Sequence, residues 1–117
     1  MKIIKDKISL GELKLMAENL FGNLVKAVVD VAKGIIAVDG ELHSDEEALL
    51  LENGSKQEDL WGINIYPEEK GESFIEFDAM INLRPAQGNR TRGVDEPTIR
   101  EKIKKIAHKL IKNGLPT

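Results

Sequence analysis

The sequence contains no cysteine, which excludes disulfide bonds, thiolate metal ligands and a cysteine nucleophile. Aromatic residues are scarce, with one Trp, one Tyr and three Phe, so the core must be mainly aliphatic. No apolar run approaches the roughly 20 residues that a membrane span requires. The N-terminal sequence MKIIKDKISL also lacks the continuous apolar segment of a secretory signal. These absences predict a soluble, cytoplasmic protein with no membrane partner.

The chain of 117 residues has room for one globular domain, 1–117, and its hydrophobic fraction of 41% is enough to form a core. Its net charge of −3 argues against a general polyanion binder. The charges are unevenly placed, however. Residues 1–83 hold 8 Lys and Arg against 17 Asp and Glu, whereas residues 84–117 hold 9 against 3. The chain therefore combines an acidic body with a basic C-terminal third.

The spacing of apolar residues predicts five strands and three helices. Strands are expected over 2–5, 24–32, 35–38, 61–66 and 75–83, where the last has the clearest alternation. The helices are expected over 10–21, from the capping box of Ser44 and Glu47 to Leu51, and from a cap at Asp95 to Asn113-Gly114. This order predicts an α+β fold in a single two-layer domain. Its sheet is mostly antiparallel with four or five strands, and about three helices cover one face.

All four arginines lie within the seventeen residues 84–100, and three of them belong to the loop RPAQGNRTRGV over 84–94. Guanidinium forks, side-chain amides and flexible glycines are groups that bind phosphate. The residues expected to hold an anion are Arg84, Gln87, Asn89, Arg90 and Arg92. A phosphate-bearing small molecule or RNA is the expected partner. Against an anion stand Asp95 and Glu96, which occupy the positive end of the following helix and would repel it. The alternative is that these arginines pair with Asp78, Glu76 or Glu41 and fix the loop in place.

Residues 39–45 read Asp-Gly-Glu-Leu-His-Ser-Asp, and an extended chain would place their alternate acidic and histidine side chains on one side. The candidate catalytic residues are His43, Glu41 and Asp78, with His43 as the general acid and base of a phosphoester or nucleotide enzyme. That function requires His43 and the arginine loop to converge. No metal-site motif is present, so no metal is expected and the cofactor stays unknown. The alternative is that His43 only marks the entry to a helix.

The outer face of the predicted sheet mixes polar residues with the apolar side chains of Ile35, Tyr66, Phe74 and Met80. A polar outer face is common on antiparallel sheets and is usually solvated. The apolar residues on it suggest a competing role for the protein, as a structural or interaction protein that forms a homodimer through this face.

Four segments are distinctive in combination: GELHSD at 40–45, LLLENGS at 49–55, WGINIYP at 61–67 and INLRPAQGNR at 81–90. Together they resemble a small prokaryotic protein family that is catalogued only as a domain of unknown function. The resemblance runs along nearly the whole chain and implies a compact single domain. It implies no activity, cofactor or catalytic residue.

Overall fold

The computed structural model describes residues 1–112. These residues form seven strands and three α-helices. They are β1 (Lys2–Ile4), β2 (Ile8–Ser9), α1 (Leu10–Asn19), β3 (Val25–Asp30), β4 (Ile35–Val38), α2 (His43–Glu52), β5 (Leu60–Ile65), β6 (Ile75–Glu76), α3 (Pro97–Leu110) and β7 (Ile111–Lys112). Short 3-10 turns occupy Gln57–Asp59, Gly71–Ser73, Met80–Asn82 and Pro85–Gln87. Within residues 1–112, no helix combines the length and the apolar character that crossing a bilayer requires.

Five of the strands form one antiparallel sheet in the order β1-β4-β3-β5-β6. The central strand β3 pairs with β4 on one side and with β5 on the other, so that Ala27 lies between Val38 and Ile63. Strands β2 and β7 form a small separate parallel pair. The α+β class, the single domain and the five-stranded antiparallel sheet are therefore confirmed.

Alternate residues of the central strands are apolar and point to the same side of the sheet, which we call the first face. This face carries the larger of the two cores. Helices α1 and α3 cover this face, and α3 contributes the buried side chains of Ile103, Ala107 and Leu110. The start of α1 is as predicted, since the Ser9 hydroxyl accepts a hydrogen bond from the Glu12 amide at 3.1 Å. The predicted end of α3 at Asn113-Gly114 lies outside the described residues, and the helix itself stops at Leu110 because the next two residues pair with β2.

The second face is covered by α2, which corrects the expectation that the helices share one face. Val28 and Ala37 point to this side and form a second buried cluster with Leu60 and with Leu50 of α2. Because these residues alternate with those of the first face, the second face also carries an apolar patch, which must be shielded from water. The segment after β6 also covers this face, since Ile81 packs against the second cluster.

The predicted strand over 75–83 is wrong beyond Glu76, where β6 ends. The chain turns so that Asn82 is fully buried, and its side-chain amide replaces a strand partner for Gly62. Asn82 Oδ1 accepts from the Gly62 amide at 2.8 Å, while Asn82 Nδ2 donates to the Gly62 carbonyl at 2.9 Å. A side chain thus supplies the hydrogen bonds that a longer β6 would have made.

Candidate functional site

The first part of the arginine loop is tied to the main chain of the neighbouring segment. Arg84 donates to the carbonyls of Gln57 and Leu60, each at 2.6 Å, and its guanidinium lies 4.3 Å from the centre of the Trp61 ring. Burial lowers the pKa of Arg84 from its ordinary value. Gln87 donates to the Glu58 carbonyl at 2.9 Å. These two predicted ligand-binding residues therefore hold the loop against the turn Gln57–Asp59 and the start of β5. Arg84 Nε makes no hydrogen bond within residues 1–112.

Asn89 and Asp95 organise the second part of the loop from within. The buried Asn89 amide donates to the carbonyls of Asn82 at 2.7 Å and Gly93 at 2.8 Å, and its oxygen accepts from the Asp95 amide at 2.8 Å. The Asp95 carboxylate accepts from the Arg90 amide at 2.7 Å and from the Thr91 hydroxyl. The Thr91 hydrogen bond is the main reason that the pKa of Asp95 is lowered. Asp95 therefore closes the loop and does not cap α3, whose N-cap is Glu96.

Arg92 and the candidate catalytic residues His43 and Asp78 line one cavity of about 360 Å³ on the second face of the sheet, which we call the His43 cavity. Arg92 Nε lies 2.8 Å from Asp78 Oδ1. The pairing of Arg92 with Asp78 is one of the arginine–carboxylate contacts that the alternative hypothesis expected. The same pair also brings the end of the arginine loop to His43, which is the convergence that an enzymatic function requires.

Strands β3 and β5 contribute two further polar residues to the His43 cavity, Lys26 and Asn64, which are cross-strand neighbours. Lys26 makes no ion pair within the described part of the chain, and its Nζ lies 4.8 Å from the centre of the Phe21 ring. The lining holds two cations, Lys26 and Arg92, and one carboxylate, Asp78. It therefore carries one excess positive charge when His43 is neutral. The cavity is therefore suited to an anion.

The imidazole of His43 is fixed at the edge of the cavity by a hydrogen bond between its Nε2 and the Ile63 carbonyl at 2.9 Å. The ring packs against Gly62, where an added Cβ would come within 3.1 Å of His43 Cδ2 and 2.5 Å of the Ala79 side chain. Burial lowers the pKa of His43 below 6.5, against the raising effect of the Ile63 carbonyl. A neutral ring that donates through Nε2 leaves Nδ1 as a proton acceptor.

The N-terminus of α2 also borders the cavity, through Leu42, His43 and Ser44. The helix begins at His43 with Leu42 as its N-cap, so the predicted capping box of Ser44 and Glu47 is wrong, and no side chain caps the helix. The first amides of a helix have no partner within it and carry partial positive charge. The amides of His43 and Ser44 are therefore the backbone donors beside the cavity, since the Asp45 amide bonds to the Leu42 carbonyl. The carboxylate of Asp45 in the first turn opposes their positive charge.

Glu41, the third candidate catalytic residue, is exposed and is not among the residues that line the cavity. The expected extended segment over 39–45 does not form, because Asp39 takes a left-handed conformation with φ 68° and α2 begins four residues later. Within residues 1–112, no group of three or more His, Asp or Glu side chains gathers where it could hold a metal ion.

Glu46 is a buried acid that was not among the residues predicted from the sequence. Its side chain is fully buried on the inner side of α2, and Oε2 accepts from the Gly40 amide at 2.9 Å. Burial raises the pKa of Glu46 to about 9, so the carboxyl group is protonated at neutral pH. Glu46 follows His43 by about one helical turn, so the two side chains lie on the same side of α2, toward the sheet. This spacing is the sequence signal that would have identified Glu46.

The residues expected to form a homodimer interface do not share one surface. Ile35 packs against the second cluster and Phe74 against the first. Tyr66 donates its hydroxyl to Glu76 at 2.9 Å, and only Met80, which is 62% exposed, lies openly at the surface beside the His43 cavity. The homodimer stays a prediction, and of these four residues only Met80 offers a largely exposed apolar side chain to it.

A family profile described as a protein of unknown function, DUF5674, matches residues 2–110. No curated protein matches the chain, and no solved structure matches it. The profile spans nearly all of the described residues, in agreement with the resemblance noted in the sequence. The chain therefore belongs to the DUF5674 family.

Proposed function

We propose that this protein binds a small molecule bearing a phosphate group in the His43 cavity. The observation that carries the proposal is the convergence of Lys26, Arg92 and the uncapped start of α2 on one concave space of about 360 Å³. Cationic side chains and free helix amides are the donors that phosphate oxygens take up in proteins. This moves the expected anion site from the whole loop 84–92 to its last arginine.

Calorimetric titration with inorganic phosphate, at constant ionic strength, tests the proposal. We expect binding by the unaltered protein and a loss of about tenfold or more in affinity for Arg92→Ala, because a charge-assisted donor is removed. Arg90→Ala is the matched control, since Arg90 belongs to the same loop, is exposed and is not among the residues that line the cavity. Equal losses in the two variants would show a general charge effect and would contradict the proposal.

A second candidate function, hydrolysis of a phosphoester, is favoured by the state of His43. A neutral imidazole held through Nε2 presents Nδ1 as a general base beside the proposed phosphate position. Nδ1 would take a proton from a water molecule as its oxygen attacks phosphorus. The bond to the ester oxygen breaks, and the imidazolium returns the proton to that leaving oxygen.

Hydrolysis of bis(p-nitrophenyl) phosphate tests this second function. We expect His43→Gln to lower the rate by about a hundredfold or more while phosphate affinity is kept. Because the pKa of His43 lies below its usual 6.5, activity should persist on the acidic side of that value. A rate equal in both proteins would exclude His43 as the base.

The cytoplasmic location, RNA as a partner and the homodimer stay predictions. The basic α3 helix offers Lys102, Lys105 and Lys109 for RNA, but a cavity of about 360 Å³ is of a size for a small molecule. Light scattering in the presence and absence of phosphate would show whether two copies of the chain associate and whether phosphate affects their association.

A further inference from the structure

We infer that the ligand of the His43 cavity is a hydroxylated phosphate ester, such as a polyol or sugar phosphate, and that Asn64 recognises a hydroxyl group next to the phosphate. This inference rests on the proposed function and names the class of ligand. It comes from one group that the protein leaves without a hydrogen bond, the side-chain oxygen of Asn64.

Asn64 is only 7% exposed, yet it lines the cavity, and its Oδ1 has no hydrogen-bond partner among residues 1–112. A buried carbonyl oxygen without a donor costs free energy, so an unpaired one inside a cavity indicates a ligand atom that completes it. The Asn64 side chain also meets His43 and raises the pKa of its imidazole, so His43 can donate to this oxygen only as the imidazolium. When His43 is neutral, the ligand must bring the donor.

The orientation of the Asn64 amide is set by its nitrogen. Nδ2 donates to Glu76 Oε1 at 2.8 Å and to the Asp78 carbonyl at 3.2 Å. Both of these partners only accept hydrogen bonds, so exchanging the amide nitrogen and oxygen would set two acceptors against each other. Oδ1 is therefore held as the acceptor on the remaining side.

The charge of the cavity selects the kind of donor. An ammonium group would be repelled by Lys26 and Arg92, which outnumber the single carboxylate of Asp78 in the lining. A hydroxyl is neutral and can donate to Asn64 Oδ1 while the neighbouring phosphate meets the cations. His43 Nδ1 and Asp78 provide further acceptors for the other hydroxyls of a polyol.

Titration of the full chain with glycerol 3-phosphate and with n-propyl phosphate tests the inference, because the two ligands differ only by hydroxyl groups. We expect the unaltered protein to bind glycerol 3-phosphate at least about tenfold more tightly, which corresponds to one satisfied hydrogen bond. In Asn64→Leu most of the preference should disappear, while the residual binding of both ligands still depends on Arg92.

Equal affinity of the unaltered protein for the two ligands would overturn the inference and leave the proposed phosphate site intact. Binding of neither ligand would overturn both. A tenfold preference that persists in folded Asn64→Leu would also overturn the assignment to Asn64. If Asn64→Leu does not fold, the comparison of the two ligands on the unaltered protein still decides whether a hydroxyl is recognised.

Discussion

Arg84 and Arg90 lie six residues apart in the same loop, but their side chains have different surroundings. The Arg84 guanidinium donates to two main-chain carbonyls at 2.6 Å and stacks on Trp61. Arg90 is exposed, and its side chain makes no hydrogen bond with the described residues. The type of residue and its position in a loop do not reveal which arginine is fixed, because the partners of Arg84 are backbone groups about 25 residues away.

We expect Arg84→Ala to lower the free energy of unfolding by about 2–3 kcal/mol, because two carbonyls lose a charged donor and Trp61 loses its cover. Arg84→Lys should restore less than half of the loss, since an ammonium cannot span both carbonyls. Arg90→Ala should change stability by about 0.5 kcal/mol or less. Denaturation by urea measures all three, and a similar small effect at both positions would contradict the assignment of Arg84 to structure.

Glu46 makes stability depend on pH in a direction opposite to that of most carboxylates. Its pKa in the folded protein is about 9, against an ordinary value of 4.5. Between these values the folded chain keeps a proton that the unfolded chain releases, so rising pH favours unfolding. This group therefore contributes stability that is fully present below about pH 4.5 and is lost as pH rises toward 9.

We expect the stability of the unaltered protein, relative to Glu46→Gln, to fall by about 1.4 kcal/mol per pH unit between pH 6 and pH 8. Gln keeps an oxygen that can accept from the Gly40 amide but does not titrate, so it removes this dependence. Urea unfolding of both proteins at three pH values in this range measures the difference. Parallel curves would show that Glu46 is already ionised in the folded protein.

Strand β6 pairs with only one end of β5. Along the rest of that edge, side chains make the hydrogen bonds to the backbone of β5. Asn64 pairs with β6, Gly62 bonds to the Asn82 amide, and the Leu60 carbonyl accepts from Arg84. The alternation of apolar residues over 75–83 predicts a strand here, but periodicity cannot show that a side chain will take over the hydrogen bonds of a backbone. The other strands of the sheet were predicted correctly because their hydrogen-bond partners are other strands.

We expect Asn82→Ala to lower the free energy of unfolding by about 3 kcal/mol, because the buried amide and carbonyl of Gly62 both lose their partner. Asn53→Ala is the matched control. Asn53 is exposed at the end of α2, and its amide donates to the Leu49 carbonyl at 2.8 Å. That variant should lose about 1 kcal/mol or less. If the two variants are equally stable, Asn82 does not complete the edge of the sheet.

At the scale of the whole molecule, the sequence predicted parts of the site but not their assembly. His43, Asp78 and Arg92 were recognised as candidates from their chemistry, and they do line one cavity. Lys26 and Asn64 were not among the predicted site residues, because their role depends on where α2 begins and on how the chain returns after β6. These are tertiary placements that local patterns do not encode.

The central claim is that phosphate binds at the start of α2 and not along the loop 84–90. The most direct measurement is a phosphate titration followed by amide chemical shifts in NMR, with ionic strength held constant by chloride. The account predicts that the largest shifts occur at the amides of His43 and Ser44, with Arg92 next to them, and that Gln87 hardly moves. Shifts centred on residues 84–90, or none at millimolar phosphate, would contradict it.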